Sequence, residues 1–344
     1  MQKENTYILA IESSCDDTSA AVFCNDKKLS NIIASQKVHE AYGGVVPELA
    51  SRAHQQNIVP VVNQAIKEAG IEKYQLNAIA YTQGPGLLGS LLVGASFAKS
   101  LALALDIPLI EVNHMQAHIL AHFIDDEAQK KPEFPFLGIT ISGGHTQIVQ
   151  VDDYFTMKVI GETLDDAIGE AFDKCGKMLQ LPYPAGPHID RLAKEGNPQR
   201  FQFSEPKVDG LNFSFSGLKT AVLYFLRRET KANPNFIKEN ITDICASLQY
   251  TVVTILMNKI NKAIKKTDIN RVAIGGGVSA NSGIRNALIN AQEKGKLEAF
   301  IPKFEYCTDN AGMIAIVGYY KYIQQRHLDN SRENLQLASA RSKF

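Results

Sequence analysis

Residues 7–24 read YILAIESSCDDTSAAVFC, and this stretch decides the fold. Its apolar run at 7–12 predicts a strand, its hydroxyls and carboxylates at 13–17 predict a polar turn, and its second apolar run at 18–24 predicts a returning strand. A third apolar run at 29–36 predicts another strand. The chain therefore begins with strands that pair through a tight polar turn.

The same layout occurs again at residues 136–151, which read FLGITISGGHTQIVQV. A turn at 143–145 separates two apolar runs, and a charged segment with two prolines, 130–135, precedes them as a predicted linker. A chain of 344 residues suits two lobes. We therefore predict two lobes of similar build, with residues 1–133 and 310–344 in the first and residues 134–309 in the second.

Apolar runs alternate with helical periodicity along the rest of the chain, which predicts an α/β fold with sheets covered by helices. Further strands are predicted at 78–82, 108–112, 271–274 and 300–301. Helices are predicted at 46–69, 88–105, 114–123, 161–181, 187–194, 216–228, 241–266, from 281 onward and at 310–325. The polar residues 326–344 are predicted to form a loosely held tail.

The composition is that of a globular protein without net charge, since 45% of the residues are hydrophobic and 21% are charged. Zero net charge disfavours a nucleic-acid binder that acts alone, because phosphate contacts require a basic surplus.

The five cysteines have no C-x-x-C spacing, which disfavours a disulfide framework and a thiolate zinc site. The first residues lack the apolar core of a signal peptide, and residues 87–105 are too mixed for a membrane span, so we expect a cytoplasmic protein.

Two histidines, His114 and His118, lie four residues apart on a predicted helix, so both imidazoles leave the same face. This is the spacing of metal ligands, although a solvent-facing or core-satisfied pair explains two histidines alone equally well. The protease pattern H-E-x-x-H needs a glutamate after the first histidine, and Met115 occupies that position. Asp309, which directly precedes the last predicted helix, is the candidate third ligand.

Three glycine-rich turns follow predicted strands, at 84–86, 142–145 and 275–277. Glycine backbone can bring N–H groups close to an anion, and free N–H groups at a helix N-terminus favour phosphate. Each turn alone is also an ordinary tight turn, but three in one chain favour a nucleotide site. None matches G-x-G-x-x-G or G-x-x-x-x-G-K-[ST], which disfavours a Rossmann or P-loop protein.

Charged residues form further groups whose roles the sequence leaves open. Glu12, Asp16 and Asp17 flank the first turn, where a carboxylate can order a metal or a water, and Glu12 is the candidate catalytic residue. Acidic residues also gather at Glu162, Asp165, Asp166, Glu170 and Asp173, and basic residues at Arg227, Arg228, Lys231, Lys259, Lys262, Lys265 and Lys266. Solvated helix faces explain both groups, and substrate binding and an RNA-binding patch are the alternatives.

Nine motifs in a fixed order carry a family resemblance that runs from about Ile8 to Ala315. They are ESSCDDT (12–18), HEAYGGVVPELASRAH (39–54), GPGLLGSLLVG (84–94), NHMQAH (113–118), SGGHTQ (142–147), GEAFDK (169–174), YPAGP (183–187), FSFSGLKT (213–220) and GGGVSAN (275–281). On these motifs the chain resembles the TsaD family of tRNA adenosine threonylcarbamoyltransferases. Ala185 is a departure, because many relatives have glycine there, and it adds only a methyl group.

The resemblance implies the fold shared by actin, sugar kinases and heat-shock chaperone ATPases (the ASKHA fold), with duplicated lobes and a nucleotide in the cleft between them. It implies transfer of a threonylcarbamoyl group from threonylcarbamoyl-AMP to the exocyclic amine of the adenosine 3′ to the anticodon in tRNAs reading ANN codons. It further implies a TsaB-like paralogue and a TsaE-like ATPase as partners, while a separate enzyme makes the adenylate.

The resemblance also implies site residues. His114, His118 and Asp309 match the family's metal ligands, for which iron is usual and zinc is compatible. The positions that match the adenylate site are Thr140, Ile141, Ser142, Gly143, Gly144, Asp173, Gly186, Asp190 and Asn281. Two rival functions remain, a metalloprotease of the O-sialoglycoprotein endopeptidase kind and a nucleotide-switched scaffold without catalytic activity.

Overall fold

Each hairpin predicted from the sequence starts a five-stranded sheet, and the two sheets lie in separate units of the chain. The computed structural model describes residues 5–127, 129–206 and 208–324. Of these described residues, the ones up to Lys131 and from Lys303 onward form the first unit, and those within Pro132–Pro302 form the second. The boundaries predicted from the sequence were 133/134 and 309/310. The predicted tail at 326–344 lies outside the described residues.

The sheet of the first unit combines an antiparallel meander with two parallel strands. Its strands are β1 (Tyr7–Glu12), β2 (Thr18–Cys24), β3 (Lys27–Ala34), β4 (Ala78–Gly84) and β5 (Leu109–Asn113). Their spatial order is β3-β2-β1-β4-β5, in which β1, β2 and β3 are antiparallel while β4 and β5 run parallel to β1. The predicted strand, polar turn and returning strand at 7–24 are confirmed.

Helices cover both faces of this sheet. They are α1 (Pro47–Glu68), α2 (Leu88–Leu105), α3 (His114–Leu120) and α9 (Ala311–Ile323), with short 3-10 helices at Lys37–Tyr42, Lys73–Gln75, Ala121–Phe123 and Phe304–Tyr306. Leu9 and Ile11 of β1 belong to the apolar cluster formed with α1 and α2, whereas Ile8 faces α9 beside Gly318. Because successive strand residues point to opposite faces, β1 is buried on both sides and reads as a continuous apolar run.

Among the described residues, one helix, α2, meets the length and hydropathy criteria for crossing a membrane. The composition of this segment predicted that it is too mixed for a membrane span. Ala95 and Ala98 on one side of α2 join the apolar cluster with the sheet and α1, so that side covers the sheet as a core helix does. Leu88, Leu92 and Leu103 on the helix are about half exposed.

The second unit repeats the arrangement of the first. Its strands are β6 (Phe136–Ile141), β7 (Thr146–Asp153), β8 (Thr156–Glu162), β9 (Arg271–Gly275) and β10 (Glu298–Phe300). The order is β8-β7-β6-β9-β10, again with three antiparallel strands followed by two strands parallel to the first of them. The predicted duplication is therefore confirmed at the level of sheet topology.

The helices of the second unit differ most from the sequence prediction at residues 161–167. They are α4 (Ile168–Met178), α5 (Ala185–Ala193), α6 (Ser216–Ala232), α7 (Phe236–Thr267) and α8 (Ser282–Glu293). The predicted helix at 161–181 is wrong in its first turns, because residues 161 and 162 belong to β8 and the helix begins at Ile168. Strand β8 is an edge strand with mostly exposed side chains, so its sequence lacks the apolar pattern of a strand.

Candidate functional site

Three neighbouring parallel strands of the first unit end beside one another and bring polar side chains together. Glu12 is the last residue of β1, Thr82 lies near the end of β4, and His114 directly follows β5. The carboxyl ends of parallel strands are the usual place for ligands in α/β sheets, because side chains and backbone groups from several strands meet there.

The histidine pair occupies the short helix that follows β5. Asn113 caps this helix, since its side-chain oxygen accepts a hydrogen bond from the backbone N–H of Gln116 at 3.0 Å. His114 and His118 are both buried, and their rings meet edge to face with centroids 4.7 Å apart. The helical spacing predicted from the sequence therefore places both imidazoles side by side.

Asp309 reaches the same place from the other end of the chain. It precedes Asn310, which caps α9. The backbone N–H groups of the first two residues of that helix, Ala311 and Gly312, donate to the side chains of Ser19 and Asn31. These bonds tie the start of α9 to β2 and β3, so the position of Asp309 is set by the sheet.

The ligand atoms of the three residues converge. Nε2 of His114 lies 3.4 Å and Nε2 of His118 lies 3.2 Å from Oδ1 of Asp309. One ligand atom from each residue lies within 4.8 Å of the other two. Both ring nitrogens of His118 are buried without a hydrogen bond of good geometry among the described residues. A divalent cation fits this arrangement, because two imidazoles and one carboxylate are ligands that zinc and ferrous iron accept.

The charges around His114 strongly perturb its titration. Burial alone lowers the pKa of His114, but the carboxylates of Asp309 and Glu12 on its two sides raise it well above the ordinary value of 6.5. The pKa of His118 is lowered by burial, with a further contribution from the charge of His114. Burial tends to raise the pKa of Asp309, but the two histidines hold it far below its usual range.

Glu12 is fully buried and has protein partners on both oxygens. Its Oε1 accepts the backbone N–H of Ser14 at 2.5 Å, and its Oε2 lies 2.5 Å from Oγ1 of Thr82 and 3.1 Å from Nδ1 of His114. The predicted catalytic candidate therefore contacts a predicted metal ligand directly. Thr82, the last residue of the strand predicted at 78–82, was not among the predicted site residues.

The glycine turn at 84–86 serves packing in the first unit. A Cβ atom on Gly86 would lie 2.5 Å from the carbonyl oxygen of Ser14, and the same carbonyl accepts the backbone N–H of Leu87 at 2.7 Å. The absence of a side chain at Gly86 thus lets this loop lie directly on the turn that follows Glu12.

We expect Gly86→Ala to lower the free energy of unfolding by about 1–3 kcal/mol, because a methyl group would overlap backbone atoms that cannot move alone. Urea unfolding of the metal-free protein measures the change. Gly44→Ala is the matched control, since a Cβ there meets no atom within 4 Å. Equal stability of the two variants would show that the loop does not depend on this close approach.

The second glycine turn, in the second unit, is a tight hairpin with open space beside it. Ser142 donates its backbone N–H to the carbonyl of His145 at 2.9 Å, and added Cβ atoms on Gly143 or Gly144 would meet no atom within 4 Å. In the strand before the turn, Thr140 and Ile141 are fully buried. The hydroxyl of Thr140 has no hydrogen-bond partner among the described residues.

The two aspartates predicted to hold an adenylate cap helices. Oδ1 of Asp173 accepts the backbone N–H of Ala185 at 2.7 Å, at the start of α5, where Gly186 has open space. Oδ1 of Asp190 accepts both the backbone N–H and the hydroxyl of Ser282, at the start of α8. Burial raises the pKa of Asp173. These carboxylates therefore have structural roles whether or not a ligand is bound.

Asn281 also has internal partners. Its side-chain oxygen accepts the backbone N–H of Ile284 as the cap of α8, and its amide donates to Oε1 of Gln249 at 2.7 Å. The predicted helix start near this residue is confirmed. The nearby turn holds Gly276 at a φ of +89°, where a Cβ would lie 2.5 Å from the carbonyl oxygen of Ile141. This glycine serves a close backbone approach, as Gly86 does.

Three members of the acidic group of the second unit, Asp165, Asp166 and Glu170, have partners within the unit. Asp165 accepts the backbone N–H groups of Phe215 and Ser216 and thereby caps α6. Lys174 lies 2.7 Å from Asp166 and 2.8 Å from Glu170. The negative charges of Asp166 and Glu170 are thus offset by one lysine, whereas Asp173 of the same group stays a candidate for the adenylate site.

One lysine of the predicted basic group is not on the surface. Lys259 is 4% exposed, and its ammonium group donates to the carbonyls of Val208 at 2.9 Å and Gly210 at 3.0 Å. Burial lowers its pKa. The prediction that this residue contributes to an RNA-binding stripe is therefore wrong. Arg227 and Arg228 of α6 are exposed, as a surface role requires.

Comparison with known proteins agrees with the resemblance seen in the motifs. The profile of the family described as TsaD: tRNA N6-adenosine threonylcarbamoyltransferase matches residues 27–316. The chain is also similar to the tRNA N6-adenosine threonylcarbamoyltransferase of Christiangramia forsetii, with 66% identity over 331 residues that cover 96% of this chain and 97% of that protein.

Solved structures with little sequence identity share the fold. Full-length HypF in its phosphate- and nucleotide-bound form aligns with a TM-score of 0.62 at 15% identity, over 93% of this chain and 47% of HypF. Component A of the (R)-2-hydroxyglutaryl-CoA dehydratase of Acidaminococcus fermentans aligns with a TM-score of 0.53 at 14% identity, over 92% of this chain and 99% of that chain. The duplicated sheet topology and these likenesses are those of the two-lobed, actin-like fold expected from the sequence.

Proposed function

This chain belongs to the tRNA N6-adenosine threonylcarbamoyltransferase family, and we propose that His114, His118 and Asp309 form the metal centre of that enzyme. The reaction transfers the threonylcarbamoyl group from threonylcarbamoyl-AMP to the exocyclic amine of the adenosine 3′ to the anticodon in tRNAs reading ANN codons. The amine nitrogen forms a bond to the carbamoyl carbon, the bond from that carbon to the phosphate oxygen breaks, AMP leaves, and the amine loses one proton.

The observation that carries the metal proposal is the convergence of two buried imidazoles on one carboxylate oxygen. His118 supports it further, because its buried nitrogens have no good hydrogen bond among the described residues and a cation would satisfy one of them. A bound Fe²⁺ or Zn²⁺ would supply a Lewis acid for a carbonyl or phosphate oxygen of the donor. We propose Fe²⁺ as the resident ion on the family resemblance, with Zn²⁺ as the alternative.

The two rival functions have less support. A metalloprotease of the H-E-x-x-H kind needs a carboxylate after the first histidine, and the residue there, Met115, is apolar and only 5% exposed. A nucleotide-switched scaffold would use the fold without modifying tRNA, and the family to which the chain belongs consists of transferases. Peptide hydrolysis by the metal-loaded protein would favour the first rival.

We propose that the second unit holds the adenylate. The candidate residues are Thr140, Ile141, Ser142, Gly143, Gly144, Asp173, Gly186, Asp190 and Asn281. The open space at three of these glycines would let backbone N–H groups approach a phosphate. The Oδ1 atoms of Asp173 and Asp190 hold the hydrogen bonds to the helix N-termini described above, so their Oδ2 atoms would accept ribose hydroxyls. At Asp190 the hydroxyl would lie beside the ammonium group of Lys194, which is 3.9 Å from Oδ2.

We expect Asp190→Ala to weaken binding of a stable threonylcarbamoyl-AMP analogue by about ten- to a hundredfold, as the loss of a charged acceptor typically does. Isothermal titration calorimetry measures the change. Asp243→Ala is the matched control. The carboxylate of Asp243 likewise accepts a backbone N–H, that of Asn197, and Asp243 is not a candidate adenylate residue. Unchanged affinity in Asp190→Ala would exclude a role for this carboxylate in holding the donor.

We propose that tRNA binding and turnover require partners, a TsaB-like paralogue and a TsaE-like ATPase, and that the enzyme works in the cytoplasm. The zero net charge supports shared tRNA binding, because such a chain has no basic surplus of its own. The half-exposed Leu88, Leu92 and Leu103 of α2 offer an apolar surface for a protein partner. The candidates for direct tRNA contact are exposed basic residues of the predicted group, namely Arg227, Arg228, Lys262, Lys265 and Lys266.

The function is tested by nucleoside analysis of unmodified tRNA after incubation with this protein, its partners, the adenylate-forming enzyme, threonine, bicarbonate and ATP. Threonylcarbamoyladenosine (t6A) is expected in tRNAs that read ANN codons, and none when this protein is omitted. A complete reaction mixture that leaves these tRNAs unmodified would refute the proposed transfer.

A further inference from the structure

Thr82 and Glu12 form a chain of hydrogen bonds that ends at a proposed metal ligand. The Thr82 hydroxyl lies 2.5 Å from Oε2 of Glu12, and the same oxygen lies 3.1 Å from Nδ1 of His114. We infer that Thr82 is a positioning residue of the metal centre, which acts on His114 through Glu12. This inference rests on the proposed function, because it assumes that His114 binds the metal.

The sheet explains why Thr82 is the residue that reaches Glu12. Strands β1 and β4 are parallel neighbours in which Ile11 lies opposite Tyr81, so the next residues, Glu12 and Thr82, are adjacent. Side chains alternate along a strand, and Tyr81 instead donates its hydroxyl to Glu111 on the neighbouring β5. Thr82 is 2% exposed and Glu12 is fully buried, so their contact is part of the interior.

The donors around Glu12 fix the way its carboxylate faces. An ionised carboxylate only accepts hydrogen bonds, and here it accepts the backbone N–H of Ser14 on Oε1 and the Thr82 hydroxyl on Oε2. With one donor on each oxygen, the carboxylate plane is held so that Oε2 also meets Nδ1 of His114.

This contact selects the tautomer of His114. When the imidazole is neutral, Nδ1 carries a proton and donates it to Glu12, which can only accept, while Oγ of Ser14, 3.3 Å from the same nitrogen, is a second acceptor. This leaves the lone pair on Nε2. Nε2 is the atom that lies 3.4 Å from Oδ1 of Asp309, on the side of the proposed metal. Carboxylates that hold metal-binding histidines in this way raise metal affinity, and the threonine extends the arrangement by one further hydrogen bond.

The test measures metal affinity and does not depend on catalysis. Zn²⁺ affinity is determined by competition with a chromophoric chelator, and the absorption spectrum of bound Co²⁺ reports the geometry of the ligands. Thr82→Val keeps the shape of the side chain and removes the hydroxyl, and we expect about a three- to tenfold loss of Zn²⁺ affinity. Thr82→Ser keeps the hydroxyl and should bind Zn²⁺ as the wild type does.

Two further variants separate positioning from packing. Tyr81→Phe removes the neighbouring hydroxyl, which contacts Glu111, and should leave Zn²⁺ affinity unchanged. Glu12→Ala should lower affinity by about ten- to a hundredfold, and adding Thr82→Val to it should cause no further loss, because the threonine acts through the glutamate.

Three outcomes would overturn the inference. They are wild-type affinity and Co²⁺ spectrum in Thr82→Val, failure of Thr82→Ser to restore binding, and an equal loss from Thr82→Val in the presence and absence of Glu12. Each would leave the proposed metal centre intact if the wild type binds one metal ion. Failure of the wild-type protein to bind metal would refute the metal centre and the role of Thr82 together.

Discussion

His118→Ala is expected to lose the bound metal and the ability to form t6A together, with a fall in metal affinity of more than about a hundredfold. The imidazole of His118 is one of three proposed ligands, and no other described side chain lies in the group that could hold the ion. Elemental analysis of the purified variant gives its metal content, and nucleoside analysis of tRNA gives its activity.

His122→Ala is the matched control for this variant. His122 is buried four residues after His118, yet it does not belong to the group of converging ligands. Circular dichroism and thermal unfolding of both variants report whether the first unit stays folded. A folded His118→Ala protein with full metal occupancy would exclude this residue as a ligand.

Affinity for Zn²⁺ is expected to rise with pH by about tenfold per unit, across the range around the ordinary histidine value of 6.5. In the metal-free protein the carboxylates of Glu12 and Asp309 raise the pKa of His114, so this residue keeps its proton through that range. Metal binding needs the lone pair on Nε2 and must displace the proton. Lower pH therefore weakens binding, and the dependence flattens once the pH exceeds the raised pKa.

Calorimetric titrations in buffers of different ionisation enthalpy count the protons released when Zn²⁺ binds, and about one is expected. Glu12→Gln removes one of the two carboxylate charges that raise the pKa of His114, so in this variant the dependence should flatten at a lower pH. If the Zn²⁺ affinity of the wild type stays constant around pH 6.5, His114 carries no proton that the metal has to displace.

Local patterns were sufficient to predict most of the fold. The two hairpins at 7–24 and 136–151 carry the alternation of apolar runs and polar turns that pairs strands, and both were predicted. Strand β8 was not predicted, and its last two residues were included in the helix predicted at 161–181, because an edge strand with exposed side chains has no apolar pattern of its own. Its position depends on pairing with β7, which is a contact that periodicity does not encode.

The candidate site was predictable where it depends on helical spacing and less so where it depends on neighbouring strands. His114 and His118 follow from the spacing within one helix, whereas the contact of Thr82 with Glu12 arises from the parallel pairing of β1 and β4. The burial of Lys259 was also not predictable, because its partners are backbone carbonyls of an irregular segment. The spacing of residues along the chain indicates which side chains share one helix face, whereas the pairing of strands determines which strands lie next to each other.

The most direct test of the proposed metal centre is to titrate metal back into stripped protein while t6A formation is measured. The protein is freed of metal with a chelator, Fe²⁺ or Zn²⁺ is returned in steps without oxygen, and metal content and modified tRNA are determined at each step. We predict that activity is lost on stripping and returns in proportion to occupancy, reaching its maximum at about one ion per chain. Full t6A formation by the stripped, metal-free protein would contradict the account.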